Sequence, residues 1–66
     1  MSSVGIEFPK EMERARNLRQ AYVDIGPPGQ FGLLVINGVL REAELAEASG
    51  DVVAIVKAFH MLKTLS

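Results

Sequence analysis

Sixty-six residues make one small domain, in the size range where a chain hides only about 60% of the surface its unfolded form exposes. With no cysteine and one histidine, neither a disulfide framework nor a thiolate metal centre can staple it, while 48% hydrophobic residues and a mean hydropathy of +0.20 argue against disorder. Seven basic and eight acidic side chains give a net charge of −1, with four of each sign in residues 1–25, so no electrostatic case exists for holding a nucleic-acid backbone.

The first nine residues lack the basic stretch and apolar core of a secretion signal, which makes a reducing cytoplasm the expected setting. Residues 1–7 read as a flexible arm ahead of a single helical domain over 8–66. Pro9 suits the first turn of a helix, and Glu11 and Glu13 suit the positive end of its dipole. Met12, Ala15, Leu18, Tyr22 and Ile25 then recur at spacings of three and four, which predicts a helix over 9–23 with one apolar stripe. Gly26-Pro27-Pro28-Gly29 ends it, because consecutive prolines lack N–H donors and push the preceding residues out of helical dihedrals.

A second helix is predicted over 30–48. Its first half is apolar nearly all round: Phe31, Leu33, Leu34, Val35, Ile36, Val39 and Leu40 leave Asn37 as the polar break, and one neighbouring helix cannot cover them all. The uninterrupted run Leu33 to Ile36 is far short of the roughly 20 residues of a membrane span. Gly38 costs about 1 kcal/mol against alanine inside a helix, which points to a close backbone contact there. Ser49-Gly50-Asp51 reads as a stop and restart, with Gly50 left-handed and Asp51 capping a third helix over 52–64. Val52, Ile55, Val56, Phe59 and Leu62 form its expected buried stripe. The fold is therefore expected to be all-α, a helical hairpin plus a third helix, assembled as a homo-oligomer because one copy has too much apolar surface to hide.

Chemistry-bearing groups are sparse. His60 stands off the buried stripe of the third helix with no second histidine or cysteine to share a metal, and Glu42, Glu44 and Glu47 read as a solvated helix face. No serine or threonine has a base at a useful spacing, so no enzyme activity, metal or cofactor is expected. The candidate ligand site is the corner. A helix that begins on Gly29 and Gly32 leaves amide N–H groups uncovered, and antiparallel packing would bring Arg19 and Tyr22 over Gln30 and Phe31, with Arg14 one to two turns further down. An arginine fork, an aromatic ring and open amides can hold a phosphate and stack a base. The Gly-x-x-Gly itself lacks the preceding strand of a dinucleotide fold and the Lys-Ser/Thr of a phosphate-binding loop.

The pattern Tyr22-x-x-Ile25-Gly26, a glycine-rich corner, Phe31-Gly32, an apolar helix and Ser49-Gly50-Asp51 resembles small uncharacterised proteins carried by phages and prophages. More remotely, the hairpin is similar in style to that of phage proteins that sequester nucleotide immune signals, from which it differs in length and in the spacing after Ile25-Gly26. The resemblance implies a non-catalytic helical oligomer with ligand pockets between subunits, acting in the bacterial cytoplasm as an anti-defence protein. The alternative is an inhibitor or adaptor that contacts a host protein through a helical surface. A helix-turn-helix regulator is a weaker fit, since the apolar second helix makes a poor recognition helix.

Overall fold

In the computed structural model, which describes residues 3–65, the chain forms α1 (Val4–Ile25), α2 (Gln30–Ser49) and α3 (Val52–Thr64). A 3-10 turn, Pro27–Gly29, joins the first two helices, and no strand occurs among the described residues. None of these helices is long and apolar enough to cross a membrane.

The first helix starts earlier than Pro9, so Val4–Glu7 of the expected arm are helical; Met1 and Ser2 lie outside the described residues. The Ser3 carbonyl accepts hydrogen bonds from the Ile6 and Glu7 N–H groups at 3.1 and 2.8 Å. Pro9 therefore sits inside the helix, where it cannot donate to the Gly5 carbonyl and costs roughly 3 kcal/mol. Burial of Phe8 supplies a compensation of about 1.5–3 kcal/mol, and Val4 packs beside it against the core. That gain comes from distant parts of the chain, which is why local spacing does not reveal it. At the other end α1 runs to Ile25 and stops at Gly26, whose φ of 83° and ψ of −146° fall in a region that essentially only glycine enters.

The core joins Phe8, Met12 and Ala15 of α1 to Ile36, Leu40, Ala43 and Ala46 of α2 and to Ala58 and Leu62 of α3. Met12, Leu40 and Leu62 are the largest side chains fully enclosed. Four of the nine core residues are alanines, which let the helix axes approach closely and leave little depth for large side chains. The close fit also turns α3: Ala58 and Leu62 face inward with Ile55, Phe59 and Leu65 partly covered, while Val52 and Val56 of the expected stripe are exposed. On α1 the stripe holds from Met12 to Tyr22, but Ile25 points outward.

Both ends of α3 are tied down. Gly50 takes the left-handed conformation (φ 70°) and returns its N–H to the Ala46 carbonyl at 3.2 Å, and the Asp51 carboxylate accepts from the Val53 N–H at 3.0 Å. At the far end Arg14 donates from Nη2 to the Leu62 carbonyl (2.7 Å), which also accepts the Leu65 N–H (3.2 Å), and from Nη1 to the Leu65 carbonyl (3.1 Å). Its Nε donates to Glu11 Oε2 at 2.7 Å, which fixes the plane of the fork. Glu11 Oε1 also lies 3.8 Å from Lys63 Nζ, and that ammonium stands 5.3 Å from the centre of the Phe59 ring. A surface pair between Arg16 and Glu44 (3.6 Å) links α1 to α2.

Replacing Arg14 with alanine is expected to cost about 1–2 kcal/mol, since two charge-assisted bonds at a partly exposed site are lost. Arg14→Lys should recover only part of it, because an ammonium lacks the fork. Leu40→Ala, which empties a packed site, should cost about 2–5 kcal/mol. Urea unfolding followed by circular dichroism ranks the three; an Arg14→Ala midpoint equal to that of the native chain would remove the clamp from the description.

Candidate functional site

The corner brings Tyr22, Gly29 and Gly32 together, as the sequence suggests, but the three are used on one another. A Cβ on Gly32 would stand 2.7 Å from Tyr22 Cε1 and 3.0 Å from Cδ1 and Cζ; one on Gly29 would stand 2.8 Å from the Tyr22 carbonyl oxygen. The glycines thus make room for the tyrosine ring, and Gly29 is buried. The 3-10 turn also takes up amides that an abrupt helix start would leave open: Gly29 N–H reaches the Gly26 carbonyl at 2.9 Å, and Gln30 N–H reaches the Pro27 carbonyl.

Arg14 lies eight residues, about 12 Å, back along α1 from Tyr22, and its guanidinium is engaged by the end of α3. Arg19, half-buried one turn before Tyr22, has no ion-pair partner among the described residues. Gln30 and Phe31 are exposed. Of the seven candidate residues, then, four serve packing or capping and three remain available to a ligand. Beside the start of α2 lies an open hollow of about 500 Å³ lined by Gln30, Phe31, Leu33, Leu34 and Asn37. It has amides and apolar groups but no cation, a lining suited to an apolar or aromatic group rather than to a phosphate.

His60 is exposed, beside the Phe59 ring, and no group of three histidine, aspartate or glutamate side chains among the described residues could hold a metal ion. The open apolar surface is more informative. Phe31 is 68%, Leu34 73% and Leu45 57% exposed on α2, and Val52 and Val53 are 70% and 62% exposed at the start of α3. The accessible area, 4504 Å², exceeds the roughly 4,100 Å² that size scaling gives for a monomer of this mass. A second hollow, about 420 Å³, runs between α2 and α3 with Ala46, Ala54 and Ala58 along it and Leu45 and Met61 at its edges. Gly38, where the sequence suggests a close backbone contact, has nothing within 4 Å of the position of a Cβ.

The inward role of the alanines and the outward role of the α3 valines escape a reading that counts only large apolar residues. Including Ala43 and Ala46 with Ile36 and Leu40 would have drawn the core stripe of α2 at spacings of four, three and three. No protein-family model matches the chain, and neither a curated protein nor a solved structure shows significant similarity to it.

Gly32→Ala is expected to destabilise the fold, and to do so far less in a Tyr22→Ala background, where the ring it strikes is gone. Gly29→Ala should remain costly in both, because its obstacle is the backbone oxygen. A double-mutant cycle from thermal unfolding reads the coupling; additive losses at positions 22 and 32 would mean the ring is not what requires the glycine.

Proposed function

We propose that this chain is a non-catalytic helical binding protein that works as a homo-oligomer and contacts a protein target through the outer face of α3. The observation that carries the reading is the exposure of Val52, Val53 and Val56 on a helix that has no acidic side chain between its ends. Exposed β-branched residues gain nothing from this position in a free helix, since they are weaker helix formers than alanine or leucine. Covered by a partner, they would contribute apolar burial at the centre of an interface. Lys57 and His60 follow them along the helix, the Asp51 carboxylate precedes them, and Lys63 already faces Glu11, so the complementary surface is mainly apolar with one acidic group opposite Lys57.

The small-ligand reading, sequestration of a nucleotide-like signal at the corner, draws on fewer groups. Arg19, Gln30 and Phe31 are accessible to it, whereas Arg14 and both glycines already have structural work. Isothermal titration with cyclic dinucleotides and ADP-ribose derivatives is accordingly expected to give no heat of binding; saturable heat abolished by Arg19→Ala would reverse the order of the two readings.

The protein-target reading predicts capture of a stoichiometric partner from bacterial lysate by the tagged chain, lost in Val53→Glu and retained in Arg19→Ala. Val53 is exposed, so the variant should keep its helical circular dichroism. Capture unaffected by Val53→Glu, or no partner recovered, would count against this use of α3.

A further inference from the structure

Gly38 has no packing role within its own chain: a Cβ there would meet nothing within 4 Å, and the residue is exposed on the outer side of α2. Asn37 before it is exposed as well and lies along the open hollow beside the start of the helix. A side-chain amide is thereby followed by the one residue type that sets no Cβ beside its backbone nitrogen. The other asparagine, Asn17, precedes Leu18, whose branched side chain shields that nitrogen and packs against the core.

We propose that Asn37 is a site of spontaneous deamidation, that the intact α2 helix keeps it shut, and that conversion to isoaspartate prevents α2 from closing again. In an opened chain the Gly38 nitrogen gives up its proton to solvent and attacks Asn37 Cγ. The new N–Cγ bond closes a succinimide ring, the bond from Cγ to the side-chain nitrogen breaks, and ammonia leaves with a proton taken from water. A water molecule then opens the ring at one of its carbonyls. Opening at the side-chain carbonyl leaves the peptide link in place and gives aspartate. Opening at the backbone carbonyl gives isoaspartate, whose main chain runs through Cγ and is one methylene longer. The net change is asparagine and water to acid and ammonia, with no oxidant or reductant.

The guard is the backbone itself. Within α2 the Gly38 N–H is directed along the helix axis to the carbonyl four residues back, that of Leu34, so its nitrogen is not free to turn toward Asn37 Cγ. Exposure of the side chain does not release that lock. Ile36 and Leu40, 2% and 1% exposed, stand on either side, and opening the helix between them withdraws large side chains from the core. Aspartate at position 37 keeps the backbone spacing and stays in solvent. Isoaspartate does not keep the spacing: the added methylene shifts the ladder out of register across Gly38, and Ile36 and Leu40 no longer enter the core together.

The native chain, incubated folded and in guanidinium chloride at one mildly alkaline pH and followed by peptide mass mapping, tests this. In denaturant Asn37 should gain the mass of an amide-to-acid change well ahead of Asn17, and in the folded chain it should do so at least about tenfold more slowly, because the required opening is rare. Asn37→Asp should keep the native circular dichroism and unfolding midpoint, whereas the isoaspartate form separated by chromatography should lose helicity. Gly38→Ala, which has room for its methyl group, should raise the midpoint and suppress conversion even in denaturant. Equal rates folded and unfolded would remove the helix as guard, and conversion no faster than at Asn17 would remove the site. An isoaspartate chain with native helicity would overturn the one-way consequence.

Discussion

The Tyr22 ring occupies the space that a side chain on Gly32 would need, and the Tyr22 carbonyl does the same for Gly29. This mutual exclusion sets how closely α1 and α2 meet at their joined ends. Once the axes are close there, the contacts further along favour small residues, and Ala15, Ala43, Ala46 and Ala58 are buried. A core of that kind encloses few large side chains. The remaining apolar groups of α2 and α3, among them Leu34, Leu45, Val52 and Val53, face outward, covered by none of the three described helices.

Local chemistry made much of the architecture legible. The αL glycine and the aspartate cap at Gly50-Asp51 act through bonds to residues within four positions, so the α2–α3 boundary and the span of α3 can be read directly. The proline pair likewise marks the end of α1 to within two residues. What could not be read depends on partners far along the chain. The helical turn ahead of Pro9 exists because Phe8 is buried by the other helices, and Arg14 finds its acceptors 48 and 51 residues away.

The candidate site shows the same division. Proximity of Tyr22 to the glycines followed from the sharp corner, but residue types alone do not say whether a ring beside two glycines awaits a ligand or fills the gap itself. The distances show that the ring fills the space beside Gly32, with no room for a Cβ between them, while a hollow of about 230 Å³ stays open along Tyr22, Gly32, Val35 and Leu65. The apolar half of α2 carries no ionisable side chain, and the exposed valines of α3 lie between the Asp51 cap and Lys57.

Pro9 divides the molecule into ends of unequal firmness. Ahead of it, the single turn from Val4 lacks one rung of its hydrogen-bond ladder, at the Gly5 carbonyl, and is tethered mainly by Val4 and Phe8. The opposite flank is latched, with α3 fastened by a cap at its start and a guanidinium at its finish. Thermal opening should accordingly begin as peeling of the α1 entrance, exposing the Phe8 seat on the bundle while the latched flank stays shut.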